Sequence, residues 1–242
     1  MGSSDKEETT ESAVVSRVER AYQGLRQAII DGDFPPGSPL RVERLTRTYG
    51  VSLVPIREAL RKLEVERLVE AIPNKGVRVA AISLDDLRDV YATRITLELE
   101  AIRQAWPGMD PRFVKEVRAV RKRMVEALDR ADPIAAYELH RQIHFAIYER
   151  ARSPWLMHLI EIMWSHTERY RRLVARLGTF IDEGRDLHGR ILDAIAEDDL
   201  EAASEALQRD LERTPNLILA AGPHELGFDL GSRAGKEAGR IG

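Results

Sequence analysis

The sequence predicts a mainly α protein in two parts: an N-terminal winged helix-turn-helix, with three helices plus a two-stranded wing, and a C-terminal all-α antiparallel helical bundle. Three observations predict it. Apolar residues recur at a helical period along most of the 242 residues. The alternating stretch "LVEAIPNKGVRV" follows the third predicted helix. After it, the breakers "WPGMDP", "DP", "RSPW", "LGTF" and "EDD" are short, which folds successive helices back on one another.

The elements follow in order. Residues 1–12 are polar and acidic and are predicted to form a disordered leader. The winged domain then spans 13–80. Val18, Ala21, Tyr22, Leu25, Ala28 and Ile29 make the apolar stripe of its first helix, which "DGDFPPGSPL" stops. "RVERLTRTYG" is a short helix closed by Gly50. In "VSLVPIREALRKLEVERLV", Ser52 stands at the N-cap and Pro55 in the first turn, and Ile56, Leu60 and Leu63 face inward. Leu68–Ile72 and Val77–Val79 form a hairpin around "PNKG". Beyond Ser83, with Asp86 as partner in an approximate capping box, helices are predicted at 84–105, 111–130, 133–150, 154–177, 180–197 and 199–213. The bundle domain is 84–214, and the Gly-rich stretch 215–242 reads as a flexible tail.

Composition excludes several chemistries. There is no cysteine, hence no disulfide, thiolate metal site or cysteine nucleophile. Any metal must be held by His, Asp or Glu. No run of apolar residues is long enough to span a membrane and no signal-peptide pattern opens the chain, so a cytoplasmic location is expected. The net charge of -3 conceals an asymmetry: Ser12 to Ala80 carries twelve Lys and Arg against eight Asp and Glu, a balance of +4. That segment suits a polyanion.

A helix-turn-helix sets its second helix in the major groove of double-stranded DNA. Arg57 and Arg61 lie on that helix with Ser52 at its start, Arg44 and Arg47 on the one before, and Lys75 and Gly76 at the wing tip. Arginine binds guanine edges or phosphates.

In the second half, "HRQIH" stacks His140 and His144 on one helix face. They are a chelating pair or two polar residues beside a core. Arg94 and Glu98 share a partly apolar stripe, as a structural ion pair or as part of a cavity for an organic acid. Tyr137, Trp164 and Arg169 are further candidates for that cavity. Trp155 reads as a packing residue, and His158, His166 and His224 as surface or tail residues.

"LRQAIIDGDFPPGSPL" and "YGVSLVPIREALRKLEVERLVEAIPNKGVRVA" together resemble the DNA-binding domain of the GntR family of bacterial transcription regulators. Arg57 matches the recognition-helix arginine and Gly76 the wing glycine. Leu53 stands where many members have an arginine that reads DNA. Arg67 replaces a glycine that caps the recognition helix, and it can add a phosphate contact there. "LRDVYATRITLELEAIRQA", "HRQIHFAIYERARSPWL" and "DLHGRILDAIAEDDLEAASEALQRDL", from about Asp85 to Arg213, resemble the FCD ligand-binding domain of the FadR subfamily.

That resemblance implies a divalent metal on His140, His144, His188 and Asp210. His140 stands where the family has Asp, and Asp210 where it has His. Imidazole with one carboxylate suits zinc first, then nickel or another transition metal. It further implies a homodimeric DNA-binding transcription regulator, a repressor, whose operator binding is controlled by a small organic acid near Arg94, Glu98 and Tyr137. The alternative is a metal-dependent hydrolase using the same cluster. No further general base stands beside the ligands, so the expectation is that the chain is not an enzyme.

Overall fold

The computed structural model describes residues 4–176 and 182–225. They fall into two compact units that divide after Ser83.

The first unit contains α1 (Ser4–Asp31), β1 (Pro39–Leu40), α2 (Val42–Tyr49), α3 (Leu53–Val65), β2 (Val69–Ile72) and β3 (Gly76–Val79). Helix α1 starts at Ser4, which corrects the predicted disordered leader for residues 4–12. Their Glu residues are good helix formers, and acidic groups suit the positive end of a helix. Ala21, Leu25 and Ile29 of α1 share a core with Ile56, Ala59, Leu60 and Leu63 of α3. At the edge of this contact Tyr22 and Arg26 of α1 both donate to the carboxylate of Glu66, just past α3.

Helix α2 ends at Gly50, which is left-handed at φ 62° and closes the last turn through its N–H on the Thr46 carbonyl. Ser52 takes the N-cap position of α3, but its side chain makes no capping bond. The wing is a three-stranded antiparallel sheet in the order β1-β3-β2, not the expected two strands. Pro39 lies opposite Arg78 and Leu40 opposite Val77, while β2 and β3 pair from Val69↔Val79 to Ile72↔Gly76. The extra strand is too short for alternation to reveal it, and its prolines read as a breaker. At the wing tip the Lys75 N–H bonds to the Ile72 carbonyl at 3.0 Å, and Asn74 and Gly76 both have positive φ.

Arg67 also has a positive φ, 55°, where Leu68 N–H returns to the Leu63 carbonyl at 2.9 Å to end α3. An L side chain in this region carries strain of roughly 1–2 kcal/mol, and glycine does not. Glycine also loosens the unfolded chain, which takes back about 0.4–1 kcal/mol. Arg67→Gly is therefore expected to stabilise the first unit by about 0.5–1 kcal/mol in denaturant unfolding. The exposed guanidinium is lost in the same variant, so its DNA affinity reads any phosphate contact that Arg67 makes.

The second unit contains α4 (Leu84–Ala105), α5 (Pro111–Asp129), α6 (Pro133–Tyr148), α7 (Pro154–Arg176), α8 (Asp182–Ala196) and α9 (Leu200–Glu225). These are the six expected helices, within a few residues at all but one end. Asp110, Asp132 and Asp199 each accept a backbone N–H three residues on, capping α5, α6 and α9. Ile102, Phe113, Ile143, Tyr148, Ile160, Ile191 and Leu207 bring all six helices into one core. Helix α9 continues through Pro215 to Glu225, so residues 215–225 of the expected tail are helical. The reason is a buried apolar residue beyond the proline, Ile218, which extends the stripe of α9. Residues 226–242 of the tail lie outside the described residues.

Candidate nucleic-acid interface and metal centre

Helix α3 separates two faces. Pro55, Ile56, Ala59, Leu60 and Leu63 are buried, while Leu53, Val54, Arg57 and Arg61 are exposed. Arg44, Arg47, Ser52, Lys75 and Gly76 are exposed as well. Arg61 is held by Glu58 at 2.7 Å. Wing residue Arg78 is likewise paired with Glu70. Arg44, Arg47, Arg57 and Lys75 have no such partner among the described residues, and their charges are left for a polyanion.

In the second unit α6 supplies His140 and His144, α8 supplies His188 and α9 supplies Asp210. One ligand atom from each lies within 4.8 Å of all the others. His144 Nε2 is 3.1 Å from His188 Nε2 and 3.2 Å from Asp210 Oδ2. The Asp210 carboxylate is 3.9 Å from His140 Nε2 and 3.8 Å from His188 Nε2. Donors around one ion with bonds of about 2.0–2.2 Å stand roughly 3.0–3.5 Å apart. The four groups therefore fit a single divalent ion with small adjustments.

The surroundings suit metal ligands too. Burial pushes the His140 imidazole well below its ordinary pKa, against the pull of Asp210, so the ring is neutral with a lone pair to give. Its Nδ1 is buried and finds no hydrogen-bond partner among the described residues. Burial would raise the Asp210 carboxyl, but the three imidazoles around it, His188 first, outweigh it and hold it well below the usual carboxylate range.

His144 is oriented by a buried relay. Burial and the neighbouring Glu98 carboxylate hold Tyr148 protonated, and its O–H donates to Glu98. The Tyr148 oxygen must therefore accept from His144 Nδ1–H, 2.9 Å away. This tautomer turns the lone pair of Nε2 toward His188 and Asp210. Glu98 in turn accepts from Arg94 Nε at 2.7 Å. Tyr148→Phe is expected to weaken metal affinity by roughly 10–100-fold, measured against a competing chelator, with helix content retained.

Arg94 and Glu98 form a buried ion pair, and Arg94 alone of the two is also part of the wall of a small cavity. That cavity, of about 20 Å³, is lined by Tyr91, Arg94, His140, Arg171, Asp210, Leu211, Arg213 and Thr214. Trp164 does not line it but packs against residues that do, with Arg94 4.6 Å and Arg171 4.4 Å from its ring centroid and the His140 and His144 rings within 5.6 Å. Tyr137 joins through its hydroxyl, which accepts from Arg171 at 2.8 Å. Arg171 is buried, yet its other hydrogen bonds go to neutral oxygens, Thr167 Oγ1 and the Trp164 carbonyl. A larger open groove between α5 and α6 mixes Arg123 and Arg141 with Glu138 and Glu149 and lies outside the histidine cluster.

Sequence reasoning missed Arg171, because "YRRLVAR" reads as a solvated basic run. Its spacing of seven from Trp164, which returns it to the same helix face, is the signal that was available. Three other expectations are corrected. His166 is buried, and with Arg169 and Tyr170 it faces Asp86 instead of solvent. Burial would raise the Asp86 carboxyl, but the bonds of His166 and Tyr170 and the charge of Arg169 hold it well below the usual range. Arg169 is thus engaged away from the cavity. Trp155 is 77% exposed and is not a packing residue. The side chain of His224 lies outside the described residues.

Residues 17–79 match the family model for bacterial regulatory proteins of the gntR family, and residues 89–213 match the FCD domain. The HTH-type transcriptional regulator BphR of Paraburkholderia xenovorans is 34% identical over 213 residues, covering 85% of this chain and 82% of that protein. The HTH-type transcriptional repressor GlaR of Escherichia coli is 29% identical over 198 residues, covering 78% of this chain and 90% of its own. A crystal structure of a GntR regulator from Rhodococcus superposes with a TM-score of 0.70 at 27% identity, over 86% of this chain and 99% of that one. These relatives are regulators of transcription, which sets aside the hydrolase alternative. Among the described residues no helix is long and apolar enough to cross a membrane.

Proposed function

The chain belongs to the gntR family of bacterial regulatory proteins, as a DNA-binding transcription regulator with an FCD domain, and from that premise we propose that a small carboxylate bound beside a metal controls its operator binding. His140, His144, His188 and Asp210 would hold the ion, which supplies open coordination positions for an oxygen ligand. Zinc suits this donor set best, with nickel next.

The observation that carries the reading is Arg171. A buried cation whose bonds among the described residues all go to neutral oxygens faces the same small cavity as His140 and Asp210. An organic acid would meet Arg171 with its carboxylate, while Arg94, already neutralised by Glu98, forms part of the wall and Tyr137 holds Arg171 through its hydroxyl. The cavity has room for about one water-sized group. A larger ligand must move side chains on α7 or α9, which gives it different affinities for two arrangements of the domain, the requirement for control.

On DNA, two copies would place their α3 helices in half-sites about 34–36 Å apart, with Arg44, Arg47, Arg57, Arg61 and Lys75 on bases and phosphates. Repression relieved by the acid is the sense of control we propose, supported by the repressor GlaR among the relatives.

The test is a titration of zinc-loaded protein with acetate, lactate, malonate and succinate, followed by tryptophan fluorescence. A saturable change is expected for at least one of them, and Arg171→Met should abolish it, with retention of the fold checked by circular dichroism. No saturable change with any carboxylate, or an unchanged response in Arg171→Met, counts against the reading.

A further inference from the structure

We propose that Leu53 and Val54 read thymine methyl groups, so that each operator half-site presents thymine to the first turn of α3. This rests on the reading that α3 lies in the major groove.

Leu53 is 44% and Val54 62% exposed, whereas Ile56, Ala59, Leu60 and Leu63 on the same helix are all buried. The fold has thus used the apolar face of α3 and left two further apolar side chains outside, directly after Ser52. Val65, also exposed, lies at the opposite end, about 17 Å along the helix. Arg57 follows Leu53 by four residues and Val54 by three, so the three share one exposed face. Arg44 and Arg47 on α2 and Lys75 at the wing tip of the same unit are also exposed and unpartnered among the described residues. Exposed apolar side chains beside Arg57, with further exposed cations on the same unit, suit a partner that offers phosphate together with something apolar.

The major groove floor has one such group, the C5-methyl of thymine. Leu53 and Val54 have no donor or acceptor. A guanine, adenine or cytosine edge pressed against them would lose water and gain no hydrogen bond. Attraction to thymine and exclusion of the other bases act in the same direction. Hydrogen-bond readout of guanine then falls to Arg57.

The experiment uses the full chain. Selection from a random duplex library supplies the operator probe. Each thymine is then replaced singly by deoxyuridine, which removes only the methyl. The expected result is a loss of about fourfold in affinity at one or two positions per half-site, the value of one buried carbon. Leu53→Ala and Val54→Ala should lose the thymine-over-uracil ratio at those positions, and Leu53→Arg should shift the preferred base there to guanine. Both side chains are exposed, so the fold is kept, checked by circular dichroism. Deoxyuridine tolerated at every position, or a ratio unchanged in both alanine variants, overturns the proposal while leaving the regulator reading intact. Failure to select any duplex would instead overturn the placement of α3 in the groove, and this proposal with it.

Discussion

His144→Ala is expected to empty the metal centre, from about one equivalent of metal per chain to none, measured by elemental analysis of protein purified without chelator. His144 stands closest to the other ligands, 3.1 Å from His188 and 3.2 Å from Asp210. It also connects the cluster to Tyr148, Glu98 and Arg94. Metal that binds only the folded chain adds stability: about 2.7 kcal/mol at a concentration a hundredfold above Kd. In a domain of this size that is a shift in Tm of roughly 5–10 °C. The distinguishing measurement is the response to added zinc. Wild type should melt higher with zinc and His144→Ala should not. Equal responses would show that the cluster is not the binding site.

Arg57→Ala is expected to weaken specific operator binding by roughly 5–150-fold, the 1–3 kcal/mol of a bidentate arginine contact to a base. Helix content, Tm and metal content should stay at wild-type values, because Arg57 is exposed and unpartnered among the described residues. If the contact is to guanine, the loss is confined to operator sequence. If it is to phosphate, binding weakens for all sequences and the salt dependence falls by about one ion. Wild-type affinity in the variant would put the recognition surface elsewhere.

Much of this architecture is legible in the residues, because helical periodicity and short breakers carry it. The losses have physical causes. Pro39 and Leu40 form a strand only by pairing with β3, and two residues leave no alternation. The leader looks disordered by charge, yet its glutamates favour a helix that continues into α1. Pro215 reads as a stop, but a proline removes one hydrogen bond, and Ile218 keeps α9 packed beyond it.

The site divides in the same way. The pair in "HRQIH" is visible from spacing alone. His188 and Asp210 come to it through the packing of three helices, which the family resemblance supplied and local pattern could not. The Tyr148–Glu98–Arg94 relay and the role of Arg171 depend on contacts between helices, and no local pattern encodes them. At Arg67 the sequence departs from the glycine that the turn favours, and the departure is visible as a positive φ.

Affinity for the selected operator duplex, with and without acetate, lactate, malonate and succinate, in zinc-loaded and metal-stripped protein, tests the central claim most directly. The account predicts that at least one carboxylate lowers the affinity of the zinc-loaded protein by roughly 5–150-fold, the usual range of coupling between two sites, and that stripping the metal abolishes the effect. Operator affinity that no carboxylate changes, or a change that survives removal of the metal, would contradict it.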